Sequence, residues 1–434
     1  MLIPLILFAI VSGLGVWAYF RPKLWAHLLA FIAFLPSSCL FYGINDYAIR
    51  AGILTWLFWG LIQKRAYSVK WFSVISLWAV MAIGGSLVTY YRICTWPPIL
   101  IYVFTHSGFS FLYVLLISVI IPGRVNLEQY LISLVICMTL FFAIGGIIQY
   151  IAGSSFRVSS NSAMYLSEGF NYLSEFNRMV GIFQTSSHVT ATVLNVGFAL
   201  VFARMQYKSK PGFLNIIILV MIVLGIVLCQ NRGNYLAVTV VLILWLFFTQ
   251  QNKRKIFISI GLIFTLFIII SMLPLYMSHN NISRFSDPKN VIQRLNIYKN
   301  AWILKDNMIK ERAIGTGFLP VLYYGSIDRA FHERRTWLSI GENQFLMWIE
   351  IYGWIITIFL CHLSMYKIIS LYMFLKKSIN KNNNYVGWGL FFSWVSLFIA
   401  YLPNHDTKFL IPLLFALTGI YRQEKDYFER VALK

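Results

Sequence analysis

Long apolar runs recur from one end of this chain to the other, and no other feature restricts its fold as much. A run of about 20 apolar residues is long enough to cross a hydrocarbon core as a helix. In lipid, only helices and closed barrels satisfy every backbone N–H and C=O. The runs here are continuous, as in "FLNIIILVMIVLGIVL" from Phe213, and lack the alternation of a barrel strand. The chain therefore reads as an all-α polytopic membrane protein. Composition agrees, because 59% hydrophobic and 12% charged residues leave too little charge to cover a soluble surface. The first run, Leu2 to Phe20, lacks a small-residue cleavage site and reads as a retained helix.

Thirteen candidate spans emerge, at 2–19, 24–42, 47–63, 71–90, 97–121, 128–151, 188–205, 213–229, 235–249, 256–274, 345–375, 385–402 and 408–421. The first three are weakly delimited, so about 12–13 transmembrane helices are expected. The basic connections include "KRAYSVK", "RMQYKSKPG", "QNKRK" and "KKSINK", and they occupy every second position. Such alternation is the positive-inside pattern. It places the C-terminus in the cytoplasm and the N-terminus outside. It also accounts for the net charge of +21 without a nucleic-acid groove, so no nucleic-acid partner is expected.

The chain then divides into N-terminal helices (1–151), a first long outer loop (152–187), central helices (188–274), a second long outer loop (275–343), and C-terminal helices with a cytoplasmic tail (344–434). The five cysteines show no CxxC spacing and read as packed small side chains. No P-loop, GxGxxG, HExxH or GxSxG pattern occurs. Neither a metal nor another cofactor is expected.

Cations also gather in the outer loops. The second loop holds Arg284, Lys289, Arg294, Lys305, Arg312 and Arg334 among others. In "NVIQRLNIYKNAWILKDNMIKER", Ile292, Leu295, Tyr298, Trp302 and Ile309 recur at helical spacing, which predicts an amphipathic helix on the outer surface. Arg178 and Arg232 fall on the same outer side, Arg232 between two apolar runs in "CQNRGNYLAV". Arginine suits phosphate through its planar fork of donors. The phosphate is either that of ordinary lipid or that of a substrate.

Three stretches taken together resemble the bacterial O-antigen ligase and polymerase superfamily. The shared features are Arg178 with Gly181 and Phe183, Arg232 with Gly233, and Arg294 with Trp302. Gly315 and Gly317 follow, then Asn343 at a helix start and Gly353 downstream. The resemblance covers roughly 177–354, in order.

It implies a multi-span glycosyltransferase bundle of the GT-C type. Such an enzyme acts at the periplasmic face of a Gram-negative inner membrane, on glycans carried by undecaprenyl diphosphate, in lipopolysaccharide biosynthesis. It also points to membrane lipids, a chain-length regulator and a flippase as partners. Arg232, Arg294 and Arg178 would then bind the diphosphate leaving group, where negative charge grows in the transition state. Glu342 stands where the ligase branch carries His. It serves either as the base that takes the acceptor hydroxyl's proton or as a cap for the helix starting near Asn343. His405, Asp406, His332 and Asn343 are lesser candidates for substrate contact.

The Glu in place of His favours a polymerase joining lipid-linked repeats. A ligase moving polysaccharide to lipid A-core is the close alternative. A flippase or exporter is the other, but charge gathers in the outer loops rather than along a path through the spans. The topology has a direct check. A cysteine placed at Lys289 should be labelled by impermeant reagent in intact cells, and one at Lys253 only after lysis.

Overall fold

The computed structural model describes residues 2–34, 44–62, 117, 125–152, 179, 187–207, 212–248, 344–377, 384–402 and 410–432. All regular secondary structure among them is helical. Helices α1 (Leu2–Tyr19), α2 (Pro22–Phe34) and α3 (Ile44–Ile62) form the N-terminal group. Then come α4 (Leu127–Met138), a π-helical turn (Thr139–Ile144) and α5 (Gly145–Ala152), which run on as one rod. Next are α6 (Ser187–Tyr207), α7 (Phe213–Leu228) and α8 (Arg232–Phe248). The last three are α9 (Gln344–Lys377), α10 (Tyr385–Tyr401) and α11 (Leu410–Ala432).

Apart from α2, which is described only to Phe34 of the expected span 24–42, each helix coincides with an expected span to within a few residues, although α11 runs on through the C-terminal tail. The expected spans 71–90 and 256–274 and almost all of 97–121 lie outside the described residues. So do the loop 275–343 and most of 152–187. Among the described residues, three helices, Leu127–Ile151, Ser187–Gln206 and Trp354–Lys377, are long and apolar enough to cross a membrane. Shorter apolar helices, among them Phe213–Leu228 and Arg232–Phe248, accompany them.

The outward faces say what surrounds the bundle. Along α7, Phe213, Leu214, Ile216, Ile217, Val220 and Leu224 are all exposed. Water would penalise that surface heavily, whereas hydrocarbon solvates it. Helix α6 is the opposite case, with residues 189–203 buried without a break. A helix buried on every side needs apolar or small residues all round, and "VTATVLNVGFALVFA" supplies them.

Around α6 pack α10, α7, α8 and α4. Close approach depends on small residues, as is usual where lipid gives helices little hydrophobic reason to associate. A Cβ on Gly389 of α10 would lie 3.4 Å from the Cα of Leu200 of α6. One on Gly225 of α7 would meet Leu194 Cδ1 at 2.8 Å and the Cα of Ala143, in the π turn, at 3.4 Å. Polar pins supplement this packing. Trp394 Nε1 donates to Thr418 Oγ1 (2.9 Å), joining α10 to α11. Trp56 Nε1 donates to the Val11 carbonyl (2.7 Å), joining α3 to α1.

Helix α9 has 34 residues. At 1.5 Å per residue it is about 51 Å long, more than a core of about 30 Å requires. It therefore projects beyond the hydrocarbon. Glu342 and Asn343 immediately precede its first residue, Gln344, in sequence.

The small-residue contact yields a stability prediction. Gly225→Leu should lower the thermal midpoint of the detergent-purified protein, by the equivalent of about 1–3 kcal/mol, because neither helix backbone can retreat freely. Gly13→Leu, where no described atom lies within 4 Å, should change it little.

Candidate functional site

The turn between α7 and α8 is where a sequence-derived site residue meets a defined structure. Cys229 closes α7, and Gln230 follows with φ at 49°. This is the left-handed conformation usual for glycine after a helix, and a residue with a Cβ holds it at a cost of about 1–2 kcal/mol. Asn231 then caps α8. Its carbonyl accepts from Tyr235 N (3.1 Å), and its side-chain Oδ1 accepts from Asn234 N (3.2 Å). Arg232 is thus the first residue of α8, with its side chain exposed.

That position is electrostatically unfavourable for a cation. Unsatisfied N–H groups already make a helix start positive, and acids normally occupy its first turn. The first turn of α8 contains no acid. A guanidinium added to a helix N-terminus gives two sources of positive potential at one point, suited to an anion.

Several contacts hold this turn. The Tyr235 hydroxyl donates to the Val227 carbonyl (2.7 Å), tying the start of α8 to the end of α7. The Met179 N–H donates to the Leu228 carbonyl (3.0 Å), and Met179 is fully buried. Its side chain fills the space beside Gly146 of α5, where a Cβ would lie 2.7 Å from its sulfur.

A buried polar cluster completes the mounting. Asn234, two residues after Arg232, is fully buried against α6. Its Oδ1 accepts from Asn195 Nδ2 (2.6 Å) and Thr192 Oγ1 (3.2 Å), and its Nδ2 donates to the His188 carbonyl (3.4 Å). Asn195 Nδ2 also donates to the Asn234 carbonyl (3.2 Å), and Thr192 Oγ1 donates to the His188 carbonyl (2.8 Å). The start of α8 is therefore fixed in rotation and height against α6.

Of the candidate site residues, Arg232 alone is described; of the glycines in the resemblance, Gly233 lies beside it in α8 and Gly353 lies in α9. Arg178, Arg294, His332, Glu342, Asn343, His405 and Asp406 lie outside the described residues. Sequence reasoning passed over Asn234, Asn195, Thr192 and His188. The available signal was an asparagine inside one apolar run, Asn195, and another at the edge of a second, Asn234; a buried amide among apolar helices needs a partner on another helix. Among the described residues, no group of three or more His, Cys, Asp or Glu is placed to hold a metal ion.

Residues 216–361 match the family model described as O-antigen ligase. The match supports the O-antigen ligase/polymerase superfamily for this segment, about a third of the chain. That segment takes in most of α7, all of α8, the first half of α9 and, by position, Arg232, Arg294, Glu342 and Asn343. Arg178 precedes it. Together with the membrane-length helices, the match supports an inner-membrane protein of lipopolysaccharide biosynthesis. No match was found among curated proteins.

The cluster makes a prediction distinct from the loss of any single contact. Asn234→Leu removes the 2.6 Å acceptor of Asn195 Nδ2 and the second acceptor of Thr192 Oγ1, leaving each donor only a backbone carbonyl. It should destabilise the protein by about 1–2 kcal/mol. Adding Asn195→Leu should cost less than the sum of the two single changes, with a coupling of about 0.6–1.7 kcal/mol, read from thermal unfolding of all four proteins.

Proposed function

We propose that this protein is a polymerase joining undecaprenyl-diphosphate-linked oligosaccharide repeats at the periplasmic face of the inner membrane. The observation that carries this reading is Arg232 at the first position of α8, held by buried bonds and lying inside the segment that matches the O-antigen ligase family. In this reading, the glycosidic bond from the growing chain to its diphosphate breaks as a hydroxyl of the next lipid-linked repeat attacks. The undecaprenyl diphosphate departs with the bonding electron pair. Arg232 and Arg294, with Arg178, oppose the charge that develops there. A donor fixed in place before reaction stabilises the transition state without reorganising. Glu342 takes the proton of the attacking hydroxyl. His332, Asn343, His405 and Asp406 are assigned to contacts with the sugars.

The description of the matching family supports a second reading, a ligase with the same donor and lipid A-core as acceptor. Purified protein, incubated with synthetic lipid-linked repeat, should form ladders of joined repeats without lipid A-core. Product only when lipid A-core is added would establish the ligase instead.

Arg232→Ala should abolish transfer while leaving the thermal midpoint near that of the parent. Arg232→Lys should restore part of it, because an ammonium keeps the charge and loses the fork. Transfer should persist in EDTA; collapse in chelator with recovery on adding Mg²⁺ would overturn the assignment of the leaving-group charge to arginines. Glu342→Gln should lower turnover by about 10²-fold or more at saturating donor, within the usual range for a general base. Near-parental turnover would leave Glu342 as a helix cap.

A further inference from the structure

The opposite end of α6 carries a second polar feature, which the proposed reaction does not use. Arg204 lies about 24 Å along α6 from His188, at 1.5 Å per residue, near the far boundary of the hydrocarbon. It lines a crevice whose inner part holds about 50 Å³ and which continues outward through an open mouth. The floor is α6, through Leu200, Val201 and Arg204. One wall is α4 and the other is α7, with the start of α10 closing the end.

The shape of the crevice has a structural cause. Gly225 lets α7 close onto Ala143 in the π turn, so the two rods meet toward the Arg232 end. Toward the Arg204 end they part and leave a wedge. Its walls are apolar along their length, through residues such as Val135, Ile136 and Ile218. Leu214 at its edge is 63% exposed, so the wedge opens sideways, toward lipid. A gap lined by aliphatic carbon loses dispersion contacts unless something fills it, and in a bilayer the available filler is an acyl chain.

The polar end narrows the choice of lipid. Arg204 Nη1 donates to Asn215 Oδ1 (3.2 Å), while its Nε is buried with no acceptor among the described residues. The guanidinium thus has donor capacity left, in a form that suits a phosphate. Glu128 lines the same crevice, as does Tyr385. An ionised carboxylate has about four lone-pair sites, so it can accept several bonds. A cation and an acid at one mouth suit a headgroup that carries both signs. A purely anionic headgroup would face Glu128 with like charge.

We propose that this crevice binds a phospholipid whose headgroup carries a phosphate and a primary ammonium, the phosphate on Arg204, the ammonium on Glu128 and one acyl chain between α4 and α7. The site lies on the leaflet opposite Arg232 and is independent of the proposed transfer reaction.

The full-length protein, purified in detergent, can be titrated with phosphatidylethanolamine, phosphatidylglycerol or phosphatidylcholine of identical chains and read by native mass spectrometry. Phosphatidylethanolamine should be retained over both others. Phosphatidylcholine keeps the phosphate but has no N–H for Glu128. Glu128→Gln should reduce the preference for phosphatidylethanolamine over phosphatidylglycerol by about tenfold, as expected for one charge-assisted bond. Arg204→Ala should reduce retention of every lipid. Ile132→Trp, which fills one wall and keeps both charges, should do the same and serves if Arg204→Ala does not fold. Preference for phosphatidylglycerol in the parent would overturn the proposal in favour of a merely cationic patch. Retention unchanged in Ile132→Trp, or a preference unchanged in Glu128→Gln, would overturn it as well.

Discussion

The carboxamide of Asn234 is fully buried between α8 and α6, accepting from Asn195 and Thr192 of α6. Buried there, these groups must satisfy one another or remain unpaired at a cost of several kcal/mol in an apolar medium. That requirement sets how α8 is rotated against α6. The rest of the site follows from it. Asn231 caps the helix, Arg232 begins it, and Gln230 takes a left-handed conformation so that α7 can end and α8 can start within a few residues.

This mounting explains how a cation can remain at the positive end of a helix. Placed there on a flexible loop, Arg232 would turn away from the dipole. Here its backbone is held by the Tyr235 bond to Val227, the Met179 bond to Leu228 and the asparagine cluster. The electrostatic cost of that position is offset by packing elsewhere, and the same positive potential attracts an anion. A family whose model covers this turn transfers glycans, and in the proposed reaction the anion is the diphosphate.

Helix α6 also relates the two ends of the bundle. Its first turns carry the asparagine network, and its last carry Arg204. Between them lies an unbroken apolar stretch whose small residues admit α10 and α7 closely. Because α7 and the α4–α5 rod converge near Ala143, they part near Leu131 and Leu214. Tight packing at one end thus produces a crevice at the other.

The sequence by itself determined that the chain is a bundle of membrane helices, since only helices pair every backbone group within one continuous apolar run. It determined where most described helices lie, as the limits of α7 and α8 show. It also singled out Arg232, because a charge flanked by apolar runs is conspicuous in one dimension. It did not reveal Asn234, Asn195 or Thr192 as partners. Hydrogen-bond pairing between helices depends on rotation and crossing, and these are settled only when side chains of distant segments pack. The left-handed Gln230 was hidden for a related reason: nothing in its side chain favours that conformation, which the closure of α7 onto α8 imposes. The crevice at Arg204 is likewise a property of tertiary structure, because the divergence of two helices is set by a glycine contact several turns away from it.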